Sequence, residues 1–209
     1  MYNAQPPYVI CLFGPDGSGK STLARLLRSY LYSRGVYAYI SWFRGSHLFA
    51  SVLARLLSRL AAFRGCSNPY YGITIPLKLR SLWILIEFSS LLPHYIFRRF
   101  LSLLHPLIGD RGILDFMVWI IVTLDHPKLL SSLLGGFLAR LAAKERGIYV
   151  RADLAALHRR AVSMPLAFLV KESACYDVLA KYYASHIIDT TDKKPREAFG
   201  ELLKCRRTL

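Results

Sequence analysis

The sequence predicts an α/β protein: a five-stranded parallel sheet with helices on both faces, three layers in all. Three observations point there. Short apolar runs alternate along the chain with longer segments whose apolar residues recur at helical spacing, the order of strand–crossover–strand units. The first run, Tyr8–Phe13, is continuously apolar, as a strand covered on both faces requires. It passes through a glycine-rich turn directly into a helical pattern at Leu23, Leu26, Leu27, Tyr30 and Leu31. At 209 residues the chain suits a single domain, 1–209.

Taken in order, Val36–Trp42 is the second expected strand and Ser46–Phe63 an amphipathic helix bearing Arg55 and Arg59. Gly65–Pro76 reads as a loop, and Leu77–Leu104 as a long helix bent at Pro93. Pro106–Gly109 is a short third strand that ends in Asp110 and Arg111. Leu114–Leu124 and Lys128–Ala143 read as helices, and Gly147–Arg151 as the fourth strand. Leu154–Tyr183 is helical with a break near Pro165, His186–Asp189 is the fifth strand, and Pro195–Lys204 the last helix. Ligands of such a sheet bind beyond the carboxyl ends of its strands.

Composition narrows the partners. The chain is 54% hydrophobic, yet 28 Lys and Arg oppose 13 Asp and Glu, a formal charge of +15. That field favours anions: nucleotides, nucleic acid or an anionic membrane surface. Ser81–Phe97 and Phe116–Leu124 are very apolar. Glu87 and Pro93 interrupt the first, however, and Asp125, His126 and Pro127 close the second, so neither offers the roughly 20 uncharged residues of a span. A soluble or peripheral protein is expected. Cys11, Cys66, Cys175 and Cys205 are scattered with no C-x-x-C pair, which suits idle thiols in a reducing cytosol. The start lacks the basic flank and cleavage site of a secretory signal, so the expected location is cytoplasmic. With no helix-turn-helix, zinc or aromatic-basic strand motif, no nucleic-acid partner is expected.

The informative stretch is Gly14-Pro15-Asp16-Gly17-Ser18-Gly19-Lys20-Ser21-Thr22, which fits G-x-x-x-x-G-K-[ST] at every position, between strand and helix. It predicts the phosphate loop of a P-loop NTPase fold, with ATP as ligand. Gly14, Gly17 and Gly19 let the backbone curl so that successive N–H groups meet phosphate oxygens. The following helix adds the partial positive charge of its N-terminus. Lys20 is placed to neutralise the β- and γ-phosphates and the Ser21 hydroxyl to bind Mg²⁺, with Asp16, Ser18 and Thr22 completing the cradle. Asp110, a carboxylate closing an apolar strand, points to the same metal ion. A surface ion pair with Arg111 is the competing reading.

The acidic residue inside Phe13–Thr22, the run Ile108-Gly109-Asp110-Arg111, and a basic helical segment before the last strand together resemble the thymidylate kinases. The resemblance spans nearly the whole chain and is strongest at the loop and the Asp-Arg pair. It implies transfer of the γ-phosphoryl group of ATP to a nucleoside monophosphate, dTMP first, with Mg²⁺. Position by position, Asp110 would help hold Mg²⁺ and Arg111 would grip the acceptor phosphate. Asp16 would lie near the acceptor's sugar or phosphate. Arg44 falls where the family carries an Arg-Glu-Pro-Gly-Gly-Thr element. Arg159 and Arg160 fall in the family's helical lid, approximately residues 154–172, where arginine forks approach the transferring phosphoryl group. For Arg44, Arg159 and Arg160 a plain solvated surface is the alternative.

The departures bear on the acceptor. Gly112 and Asp115 stand where the family has an aromatic residue and a serine, and Arg44-Gly45-Ser46-His47 is a reduced form of its element. Leu82–Phe88 replaces the base-reading helix; Trp83 and Glu87, one turn apart, share a face that would line an acceptor pocket. Trp83, Phe88, Trp119 and Tyr176 read equally as core. Two other functions stay open: a kinase of a non-nucleotide, lipid-linked acceptor, and a nucleotide-dependent binding protein or switch. Besides a nucleotide substrate, the helices permit a homodimer and peripheral contact with an anionic membrane.

Overall fold

The computed structural model describes residues 9–43 and 45–207. Five strands, all parallel, form one sheet flanked by helices: β1 (Val9–Phe13), β2 (Tyr39–Trp42), β4 (Leu107–Asp110), β5 (Arg146–Arg151) and β6 (Ala184–Asp189). Their order is β2-β4-β1-β5-β6, so β1 lies at the centre with β4 and β5 beside it. Leu12 pairs with Asp110 on one side and Ile148 on the other, which brings the carboxyl ends of three strands to one edge.

Alternation along β1 divides the core. Leu12 joins Leu23 and Leu27 of α1 (Lys20–Ser33) and Ala198 and Leu202 of α8 (Pro195–Arg207) on one face. Phe13 joins the larger core on the other face, built from α3 (Arg80–Leu104), α4 (Ile113–Leu124), α5 (Leu133–Ala142) and α7 (Leu166–Tyr183). Every residue of α4 is buried. Its apolarity, broken only by Asp115 and Thr123, is therefore the signature of a helix enclosed by protein on all sides. Among the described residues no helix is long and apolar enough to cross a membrane.

The expected strands appear within a few residues of their predicted ends. Differences lie between them. The expected helix Ser46–Phe63 is cut short: α2 covers Leu48–Leu57, and a 3₁₀ turn at Ala61–Phe63 leads into β3 (Arg64–Asn68). The expected loop Gly65–Pro76 is thus partly a hairpin, β3 bridging antiparallel to Ile73. Gly65 N–H donates to Gly72 O at 3.1 Å and Thr74 N–H to Phe63 O at 2.8 Å, with Ile73 fully buried. The strand reads Arg-Gly-Cys-Ser-Asn and is largely solvent-facing, so it carries no apolar run or alternation to show as a pattern. α3 runs unbroken through Pro93. The break expected near Pro165 separates α6 (Leu154–Arg160) from α7.

Candidate functional site

The turn from β1 to α1 is set by backbone geometry that only glycine tolerates. Gly14 and Gly17 have φ of 144° and 84°. A Cβ at Gly14 would stand 2.1 Å from the Val150 carbonyl oxygen, and one at Gly17 would stand 3.0 Å from that of Leu157. The loop is therefore wedged between β5 and α6. Ser18 N–H closes it by donating to Pro15 O at 3.2 Å, and the Ser18 side chain is buried.

Lys20 opens α1 and is itself buried. Its Nζ donates to Pro15 O at 2.6 Å and to Ser18 Oγ at 3.2 Å, so the ammonium is folded over the loop. Burial, then the charge of Arg111, brings its pKa down to about 8. A cation desolvated in this way gains strongly from an anion placed beside it. Ser21 and Thr22 follow in the first turn of α1, whose first turn carries no acidic residue.

Asp110 closes β4 beside β1. It is 5% exposed, and its Oδ1 is buried with no hydrogen-bond partner among the described residues. Such an oxygen is a vacancy for a donor or a cation. Arg111, at φ 81°, turns the chain back toward the loop. Its Nη2 donates to Asp16 Oδ1, and its Nη1 lies 3.4 Å from Asp115 Oδ1. Asp115 also accepts from the Tyr176 hydroxyl at 2.7 Å and from Gly112 N–H at 2.8 Å.

A third carboxylate arrives from α7. Glu172 Oε2 accepts from Asp16 N–H at 3.0 Å, and burial, then the charge of Asp16, raises its pKa to about 7. Asp16 Oδ2 in turn accepts from the Tyr70 hydroxyl, contributed by the hairpin after β3. Asp16, Arg111, Asp115 and Glu172 thus form one buried network beside the loop.

Two clefts lie beside these residues, one bordered by Tyr70 and the other by Gly19 of the loop. The larger, about 450 Å³, is lined by serines 46, 51 and 58, by Arg55, and by the rings of Trp42, Tyr70, Tyr71 and Trp119. Tyr70 is its boundary with the glycine loop. Beneath its wall Glu87, fully buried, accepts from Ser46 Oγ, from Trp83 Nε1 at 3.1 Å and from Trp119 Nε1 at 3.4 Å. The second cleft, about 210 Å³, is lined by Gly19, Thr22, Arg160, Thr190, Lys193 and Pro195, among others. Arg160 Nη2 donates to the carbonyls of Thr190 and Thr191, each at 2.9 Å, and Nη1 to Thr190 Oγ1 at 3.1 Å. It clamps the turn after β6 against the glycine loop.

The structure therefore brings Lys20, Asp16, Asp110 and Arg111 together at the carboxyl edge of the sheet, with Arg160 at the neighbouring cleft. Arg159 is exposed on α6. Arg44 lies outside the described residues. Trp83 is displaced from its expected role: it is 4% exposed and packs behind the cleft wall, so the indoles that reach the cleft are Trp42 and Trp119. The reason is that Glu87 takes the Trp83 N–H within α3 and turns that face inward. Glu172, Tyr70 and Asp115 were not singled out as site residues. Glu172 did leave a signal, being a carboxylate on the apolar stripe Phe168, Tyr176 and Leu179 of α7; Tyr70 left none, because tertiary packing alone carries it to Asp16. Compared with known proteins, the chain matches no family model and no curated protein.

Proposed function

We propose that this chain is an ATP-dependent phosphotransferase of P-loop NTPase architecture, with the segment 154–172 as its lid. One observation carries the reading: the loop between β1 and α1 holds glycines at positive φ and a buried, partly desolvated Lys20 at the start of a helix. Inward N–H groups, a helix N-terminus and an ammonium in one place are the means of holding a polyphosphate. In this scheme the nucleoside occupies the cleft bordered by Arg160, Thr190 and Pro195, and the acceptor the larger cleft beyond Tyr70.

Mg²⁺ fits the residues present. Asp110 offers an orphaned buried oxygen and Ser21 a hydroxyl, and Mg²⁺ normally takes one or two protein oxygens and completes its shell with phosphate and water. When bound it would neutralise charge on the phosphates. Lys20 would leave Pro15 O for the β- and γ-phosphates, and Arg111, held by Asp16 and Asp115, would orient the reacting end of the acceptor. α6, already seated on Gly17, would help exclude water, so that the acceptor rather than solvent receives the phosphoryl group. Positioning and electrostatics carry the catalysis, with no covalent intermediate. A cytoplasmic location, where ATP is supplied, accords with this reading.

The test is ADP formation from ATP and Mg²⁺ against a panel of acceptors, dTMP among the first because of the thymidylate kinase resemblance. Lys20→Ala should reduce turnover at least 100-fold while circular dichroism and ATP-free stability stay near wild type. Undiminished turnover in that variant would refute the assignment.

A further inference from the structure

We infer that the group phosphorylated is a neutral hydroxyl on a nucleoside-sized acceptor, rather than a phosphomonoester, and that Glu172 receives the hydroxyl proton. The inference rests on the phosphotransferase reading and names the substrate class of that same site.

The inner end of the large cleft carries it. Tyr70 and Trp119 line both the cleft and a small pocket behind it, whose other walls include Arg111, Asp115, Glu172 and Tyr176. An acceptor reaching the glycine loop from the cleft passes these groups. They are already balanced toward negative charge: Asp16, Asp115 and Glu172 face Arg111 and Lys20. Both terminal nitrogens of Arg111 are engaged by carboxylates, Asp16 and Asp115. Lys20 is the cation the triphosphate would claim. An acceptor phosphate would therefore bring two further negative charges against three carboxylates, two of which already hold the terminal nitrogens of Arg111. A hydroxyl brings no charge and finds acceptors in place.

The lining agrees. Three serine hydroxyls, at 46, 51 and 58, and the rings of Trp42, Tyr71 and Trp119 suit an uncharged molecule with polar edges and flat faces. Among the described residues Arg55 is the single cation of the lining, on α2.

Glu172 is the carboxylate placed for the proton. It lines the inner pocket and is bonded to the backbone of the loop at Asp16. Its pKa, raised to about 7, leaves it partly ionised at neutral pH, where a general base is most effective. The groups facing it are Asp16 from the loop, Lys20 from α1, Arg111 from the β4–α4 turn, Asp115 from α4, Tyr149 from β5, and Cys175 and Tyr176 on its own helix. In the reaction the acceptor oxygen attacks the γ-phosphorus and forms the new O–P bond. The bond from that phosphorus to the β,γ-bridging oxygen breaks, ADP leaves with the electron pair, and the acceptor proton passes to the Glu172 carboxylate.

The test measures ADP formation with thymidine, ribose, glycerol and dTMP as probes, with ATP binding followed by calorimetry on the same preparation. A hydroxyl probe turning over at least tenfold faster than dTMP supports the inference. If ATP binds and dTMP is the better acceptor, or no hydroxyl probe reacts, the inference fails and the phosphotransferase reading survives. If ATP does not bind, both fail. Glu172→Gln keeps an oxygen for the Asp16 N–H, and should lower kcat on the hydroxyl acceptor about 100-fold and abolish the acid limb of the kcat–pH profile near pH 7, with the ATP Kd unchanged. An unaltered pH profile would remove Glu172 from the role.

Discussion

Removing one member of the buried pair Arg98–Glu145 should destabilise the protein severely, and removing both should cost well under the sum of the two single losses. Arg98 of α3 lies 3.4 Å from Glu145, just before β5, with side chains 2% and 9% exposed. Arg98 Nη1 also donates to the Arg111 carbonyl at 3.1 Å, and Glu145 Oε2 accepts from Ile113 N–H at 3.0 Å. The pair thus fastens the turn that carries Arg111. Glu145→Gln keeps the shape and an oxygen for Ile113, but leaves the guanidinium buried without its counter-charge. One-sided loss of a buried pair costs about 3–5 kcal/mol. In Arg98→Met with Glu145→Leu the desolvation of both charges disappears as well. What remains is two backbone groups without partners, about 1–3 kcal/mol each at most. With about 4 kcal/mol for each single loss and about 4 kcal/mol for the two backbone groups together, the double variant should lose about 4 kcal/mol less than Arg98→Met and Glu145→Leu combined. Urea unfolding, comparing midpoints at constant m, reads all three values. Burial pushes the Glu145 carboxyl up, so the deficit of Glu145→Gln should narrow as acid protonates the wild-type group. A single-variant loss below about 1 kcal/mol, or strict additivity, would refute the reasoning.

Two further outcomes follow from the clefts. Burial raises the Glu87 carboxyl from 4.5 to about 7, against hydrogen bonds from Ser46, Trp119 and Trp83. A folded pKa above the unfolded one means that stability is full below pH 4.5 and falls as the pH rises toward 7. Glu87→Gln should abolish that fall and be the more stable protein above pH 7 by about 2–3 kcal/mol; parallel pH slopes in urea melts would contradict it. Arg160→Ala breaks the clamp on Thr190 and Thr191 and should weaken ATP binding about tenfold, some 1.4 kcal/mol. An unchanged Kd by calorimetry would sink the clamp's part in nucleotide binding.

Local order made much of this legible in advance. The strands announce themselves because a parallel strand is covered on both faces and must be apolar throughout, as in Val9–Phe13 and Ile148–Val150. The glycine loop is legible because positive φ admits so few side chains that Gly14, Gly17 and Gly19 sit at obligatory spacing. Asp110 and Arg111 were readable because they end a strand whose direction was already set.

What needed the tertiary structure is whatever depends on which surfaces meet. Strand order leaves no local trace, yet placing β1 between β4 and β5 is what sets Asp110 beside the glycine loop. Trp83 and Trp119 are alike in sequence terms, each an indole on an apolar helix; only the packing of α3 on α4 around Glu87 sends one behind the cleft and the other into it. Asp16, Tyr70, Arg111 and Glu172 come from four separated segments and form one network only after folding. Sequence by itself determined the α/β frame and its loop, because those rest on the covalent and steric limits of short segments. Tertiary structure alone decided the charge and shape of the cleft, because Coulomb and contact forces act between residues far apart in the chain.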